Sequence, residues 1–121
     1  MRAIDAAAEV HPDALGILGS PIFDTGPRRL ADLALAHRLP TSTLFPEIAR
    51  AGGMIGYGPN LVDAFRVAGT MAGRILIGTR AADLPVERPT RLELVVNQRT
   101  ARALGITIAP SVLLRADEVI E

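Results

Sequence analysis

The chain has 121 residues, enough for one compact core and too few for two ordinary domains. Thirteen basic residues balance thirteen acidic ones without a long run of like charge, which excludes a nucleic-acid footprint. Apolar residues make up 49% but aromatics only 3%, so Ala, Leu, Ile and Val must fill the interior, as in helix-covered parallel sheets, while the lack of cysteine excludes disulfides, thiolate catalysis and cysteine-based zinc sites.

Residues 4–10 read as the end of a helix, broken at His11-Pro12-Asp13. The opening stretch carries Asp5 and Glu9 among its alanines, so it is not expected to act as a signal peptide, and no run in the chain approaches the roughly 20 apolar residues of a membrane span. The apolar run 14–18 is a candidate buried strand, ended by Gly19-Ser20-Pro21. Pro27 sits at a first helical position, and Leu30, Leu33, Ala34 and His37 recur at helical spacing before Leu39-Pro40 closes the helix. An extended piece at 41–44, a helical turn at 46–50 and a strand at 54–57 follow.

The decapeptide 51–60 then joins strand to helix through four glycines and a proline. Small residues there let the backbone approach a bound molecule, and the free N–H groups of the next helix suit an anion; a tight turn without a ligand is the alternative reading. The next helix spans 61–77, with Leu61, Ala64, Phe65, Ala68, Met71, Ala72 and Ile75 on one stripe, Asn60 as its cap, Asp63 in its first turn and Gly78 past its end. Residues 79–90 read as a surface connector and 92–96 as a half-covered strand. Asn97 caps a helix through Leu104, stopped by Gly105, and the tail reads as a short extended piece followed by a final helical turn. One α/β domain with a parallel, Rossmann-like sheet is the expected architecture.

Catalytic and cofactor signals are sparse. His11 and His37 each lack a second ligand at metal-binding spacing, and His37 at a helix end has a structural reading, since its ring can bond nearby carbonyls. No nucleophile elbow surrounds Ser20, Ser42 or Ser111. Gly56-x-Gly58-x-x-Leu61 matches half a dinucleotide fingerprint without its third glycine, which leaves a small Rossmann-like enzyme as a minor alternative. No metal, no cofactor and no enzymatic activity are expected. Three segments, 20–24, 41–45 and 57–60, follow predicted strands and so would meet at a sheet's carboxyl edge, where open α/β folds bind ligands. Ser20, Asp24, Thr41, Ser42, Thr43 and Asn60 supply polar groups there, and Phe23, Phe45 and Tyr57 are three of the four aromatics of the chain.

Several motifs in order resemble one family. They are Pro12-Asp13-Ala14, Ala36-His37-Arg38-Leu39-Pro40, Ala51-Gly52-Gly53 with Tyr57-Gly58-Pro59, and Arg74-Ile75-Leu76-Ile77-Gly78. Ala82-Asp83-Leu84-Pro85-Val86-Glu87, Leu92-Glu93-Leu94-Val95-Val96-Asn97 and the closing Leu114-Arg115-Ala116-Asp117-Glu118-Val119-Ile120-Glu121 complete the set. Together they resemble the C-terminal part of bacterial ABC-transporter substrate-binding proteins of the tryptophan/tyrosine type. The resemblance implies a type I periplasmic binding protein fold, in which two α/β lobes close on a solute and present it to an ABC permease. It also implies that residues 1–121 are the C-terminal fragment of a two-lobed protein, that the helix from Leu61 crosses toward the other lobe, and that the location is the periplasm or cell envelope.

Phe23, Tyr57 and Asn60 carry over as ligand-binding candidates, with Ser20, Asp24 and Thr43 beside them. The chain departs from the family pattern at Ser20, where members often carry an acidic residue, near Thr43, where they carry a tyrosine or other polar residue, and at Gly56, where they carry a serine. Asp24 is then the candidate partner for a ligand ammonium. With its usual cover absent, the apolar stripe of Leu61, Phe65, Ala68 and Met71 implies a homodimer, formed by exchange of that helix between copies. A truncated, self-associating structural module without transport activity is the alternative to a working solute receptor.

Overall fold

The computed structural model describes residues 2–20, 26–89 and 91–121. Helix α1 (Arg2–Glu9) leads into strand β1 (Leu15–Ile17), helix α2 (Pro27–Ala36), strand β2 (Thr41–Thr43), helix α3 (Pro46–Arg50) and strand β3 (Ile55–Pro59). Helix α4 (Leu61–Leu76), a 3-10 turn (Ala81–Asp83), strand β4 (Leu92–Asn97), helix α5 (Gln98–Leu104), helix α6 (Pro110–Leu113) and strand β5 (Glu118–Ile120) follow. Prolines open α2, α3 and α6, where a missing N–H costs nothing and the fixed φ suits the first turn. The two asparagine caps form as the sequence implies: Asn60 accepts from the Asp63 N–H at 2.9 Å and Asn97 from the Thr100 N–H at 3.0 Å. Gly105, at φ 75°, ends α5 in the left-handed conformation.

The five strands form one sheet in the order β1-β2-β3-β4-β5. β1/β2, β2/β3 and β4/β5 are parallel, and β3/β4 is antiparallel, so the sheet is mixed rather than wholly parallel. A parallel crossover needs its helix to pack back on the sheet, but α4 buries none of its residues. The chain instead leaves β3 at Asn60 and returns beside it, with Leu92 paired to Pro59 and the Asn60 N–H donating to the Arg91 carbonyl at 3.3 Å. Residues 60–91 are thus an excursion rooted on two adjacent strands. The tail also differs from expectation, because the helical turn α6 comes first and the extended piece follows as edge strand β5, fixed by pairing with β4 rather than by any local signal.

Register and pleat sort the side chains. Leu15, Ile17, Thr41, Thr43, Gly56, Gly58, Glu93 and Val95 share the face toward α3, whose Ile48 and Ala49 are buried with Val95. Ile4 of α1 packs with Ala34 of α2 and Leu39, and partly with Leu15, to extend this core. His37 ties the two helices together, its Nε2 lying 3.0 Å from Asp5. Gly16, Ser42, Tyr57 and Leu92 lie on the opposite face and are exposed, whereas Val96 on the same face is fully buried and Ile55 and Leu94 are half-buried, so this side of the sheet is open only in part.

Candidate functional site

Because β1, β2 and β3 run parallel, their carboxyl ends reach the same edge, and the segments beyond them touch. A Cβ built on Gly19 would lie 3.0 Å from Cε2 of Phe45, so that ring rests on the backbone leaving β1. The same construction on Gly58 overlaps the Leu44 carbonyl oxygen, and on Gly56 it comes within 2.8 Å of the Pro46 Cα. These glycines therefore admit the chain's own backbone on the helix-covered face, which explains them without a ligand. Both lie inside β3 rather than in a turn before a helix, so the half-fingerprint offers no phosphate-binding turn.

The six candidate residues fare differently. Phe23 and Asp24 lie outside the described residues. Ser20 is half-buried, three residues past the end of β1 on the shared edge. Thr43 is only 4% exposed, faces the helix-covered side and donates its hydroxyl to the Phe45 carbonyl at 2.8 Å, so its polar group serves the bend after β2. Tyr57 is 55% exposed on the open face, opposite Leu94 in the register, with its ring free to stack. Asn60 stands at the root of the excursion, capping α4 through its oxygen and donating its Nδ2 to Glu93 Oε1 at 2.7 Å. The strand-end arrangement thus brings Ser20, Tyr57 and Asn60 to one edge while Thr43 turns inward.

Glu93 was not among those candidates. Its side chain, 6% exposed, receives Asn60 on one oxygen and Arg50 NH2 on the other at 3.0 Å, with Arg91 NH2 at 3.5 Å. Arg50, from the last turn of α3, also reaches Glu118 of β5 at 2.8 Å and Glu47 at 3.7 Å. The hydrogen bond from Asn60, then that from Arg50, holds the Glu93 carboxyl below the usual carboxylate range despite its burial. Burial pulls the Arg50 guanidinium down, but its bonds to Glu118 and Glu93 outweigh that and raise it. A charged residue inside an otherwise apolar strand was the available signal, since such a carboxylate must find donors.

Beside Asn60 a groove of about 490 Å³ opens between α4, as far as Met71, and the residues Glu87, Arg88, Pro89 and Arg91. Its lining includes Val67 and Met71 as apolar floor, with Asp63, Arg66, Arg88 and Arg91 supplying charge. Asp63 is already paired with Arg66 and lies 3.9 Å from Arg91. The volume falls in the range of small-molecule sites, and both signs of charge flank an apolar surface. Among the described residues no group of three His, Asp or Glu side chains is placed to hold a metal ion, and no helix is long and apolar enough to cross a membrane.

Solved structures share this architecture. A conserved domain protein from Vibrio cholerae O1 biovar El Tor superposes with a TM-score of 0.88 at 24% identity over 98% of this chain and 40% of its own. The ABC domain in complex with L-Trp from Streptococcus pneumoniae gives 0.85 at 24% identity, with 98% and 41% covered. A substrate binding protein with adhesive properties from Clostridium difficile, in its ligand-free, open structure, gives 0.62 at 19% identity, with 98% and 39% covered. The chain thus spans about 40% of the length of these proteins. No curated protein matches the sequence. Residues 21–120 match the family described as ABC transporter substrate binding protein, a match over most of the sequence, and the chain belongs to that family of binding proteins.

Proposed function

We propose that this chain is the solute-binding part of an ABC import system and holds a small zwitterion such as an amino acid at the carboxyl edge of β1 to β3. The observation that carries the reading is the groove beside Asn60, where arginines and carboxylates flank Val67 and Met71. Arg88 or Arg91 suits a ligand carboxylate, Asp63 or Glu87 an ammonium, and the apolar floor a hydrocarbon or aromatic side chain. Tyr57 and Ser20 extend this edge while Thr43 shapes it from within, and Phe23 and Asp24 are kept as ligand candidates from the sequence. The L-Trp complex of the Streptococcus pneumoniae domain supports an amino acid as solute class. On this reading the chain binds rather than catalyses, its partner is an ABC permease, and it works in the periplasm or cell envelope.

Closure by a second lobe buries most of a solute in two-lobed receptors, so one edge alone binds weakly, with Kd on the order of 0.1–1 mM. Calorimetric titration with L-Trp, L-Tyr and branched amino acids tests this. Saturable binding that is lost in Tyr57→Ala is expected; no heat from any amino acid at millimolar concentration refutes an amino-acid site on this chain. A second reading, a self-associating structural module, is favoured by one observation, the helix α4 without a buried residue. Uncovered apolar surface of that kind drives a homodimer.

A further inference from the structure

Asp63, Arg66, Glu87, Arg88 and Arg91 line the groove beside Asn60, and their pairing divides them into two sets. Asp63 of α4 pairs with Arg66 and lies 3.9 Å from Arg91. Arg91 in turn lies 3.5 Å from Glu93, whose carboxylate the bonds from Asn60 and Arg50 hold in its charged form. Both arginines are exposed, so parting any one of these pairs costs little. The charge standing beside each group matters more. A ligand carboxylate brought to Arg91 meets Asp63 and Glu93, and an ammonium brought to Asp63 meets Arg66 and Arg91, so at either place a like charge opposes the incoming group. Glu87 and Arg88 stand apart from this network. Neither makes an ion pair with any described residue, and they do not pair with each other.

We propose that Glu87 and Arg88 select the charge of the solute: Arg88 takes its carboxylate, Glu87 its ammonium, and the two together favour a zwitterion over either singly charged analogue. This role rests on the amino-acid reading of the groove and specifies it. Consecutive Cα atoms lie about 3.8 Å apart, and an α-amino acid carries both charged groups on one carbon, so two neighbouring long side chains can meet them together. Their adjacency also supplies the selection. A lone anion at Arg88 meets the Glu87 carboxylate, and a lone cation at Glu87 meets the Arg88 guanidinium, whereas a zwitterion offers each its opposite. Charge selection thus belongs to the connector before β4, and the apolar floor of Val67 and Met71 on α4 is left to receive the solute's side chain.

NMR titration of the isotope-labelled chain with L-Trp, L-tryptophanamide and N-acetyl-L-tryptophan, up to about 20 mM, compares the parent with Arg88→Gln and Glu87→Gln. Both positions are exposed and outside any ion pair among the described residues, so the variants keep the fold, checked by circular dichroism. The parent should bind L-Trp about tenfold more tightly than either analogue. Arg88→Gln should lose that factor for L-Trp while its affinity for the amide stays at or above the parent value; Glu87→Gln should do the same toward the N-acetyl compound. An analogue that binds the parent as tightly as L-Trp, or amide binding that falls together with L-Trp in Arg88→Gln, overturns this role while leaving an amino-acid site standing. So does an Arg91→Gln variant that, in place of Arg88→Gln, abolishes the discrimination between acid and amide. No spectral change with L-Trp at any concentration overturns both.

Discussion

Removing the Glu93 carboxylate should loosen the root of the excursion, and the size of the effect follows from what each partner keeps. In Glu93→Ala the Asn60 amide loses an acceptor at 2.7 Å and the Arg50 guanidinium loses one at 3.0 Å. Orphaning a buried charge costs about 3–5 kcal/mol, but neither cation is orphaned here. Arg50 is 36% exposed and keeps Glu118 at 2.8 Å, and Arg91 is 66% exposed, so water and the remaining carboxylates take up both charges. What is lost is chiefly the charge-assisted bond to Asn60, worth about 1.5–3 kcal/mol, with a small packing term. The expected loss is about 2–3 kcal/mol, a fall of roughly 6–12 °C in Tm for a chain of this length. Glu93→Gln keeps an acceptor for Asn60 and should lose only about 1 kcal/mol. Guanidinium denaturation followed by circular dichroism gives both values. An Ala variant within ~0.5 kcal/mol of the parent would refute the claim that this carboxylate stabilises the junction.

The same carboxylate gives a pH dependence with a definite sign. Its folded pKa is depressed, so its contribution is complete above the unfolded value of about 4.3 and is lost as pH falls through the folded one. The stability gap between parent and Glu93→Gln should be constant at pH 6–8 and shrink below about pH 4.3; a gap unchanged down to about pH 3 contradicts it. Gly58→Ala should cost about 1–3 kcal/mol or more, because its methyl overlaps the Leu44 carbonyl and the bend after β2 must move, whereas Gly16→Ala, with open space around its Cβ, should be neutral or slightly stabilising. Equal melting temperatures for the two alanine variants would contradict the close approach.

What the sequence reveals of this fold is what short-range chemistry decides. Prolines at positions 27 and 46, the caps Asn60 and Asn97, and Gly105 each act within one helical turn, so the helices they bound could be read from the residues alone, whereas Pro110 opens a helix where an extended piece was expected. The antiparallel β3/β4 step could not, because the direction in which the chain returns after residue 60 is set by long-range pairing and not by any local signal. Strand β5 has three residues and exists through its pairing with β4. Gly56 and Gly58 carried an ambiguous message. A glycine reports that something comes close, but not whether that is a ligand or the chain itself, and here the bend after β2 fills the space.

The candidate site was legible in a similar measure. Strand order and direction put Ser20, Tyr57 and Asn60 on one edge, since carboxyl ends of parallel strands coincide. Side-chain orientation decides the rest, and it is set by register. Thr43 pairs with Gly56 on the helix-covered face, whereas Tyr57, one step along the same strand, points to the open face. Glu93 lies opposite Gly58 on the covered face, and its Arg50 partner is 43 positions away in sequence. That pairing bears on the proposed site because the groove is built on the same excursion. The excursion is rooted on two neighbouring strand ends, and Glu93 joins both, holding Asn60 where the chain leaves and Arg91 where it returns. Any rotation of α4 against the sheet must stretch these bonds. The walls of the groove, Asp63 on one side and Arg91 on the other, are therefore positioned by a carboxylate that does not itself line it.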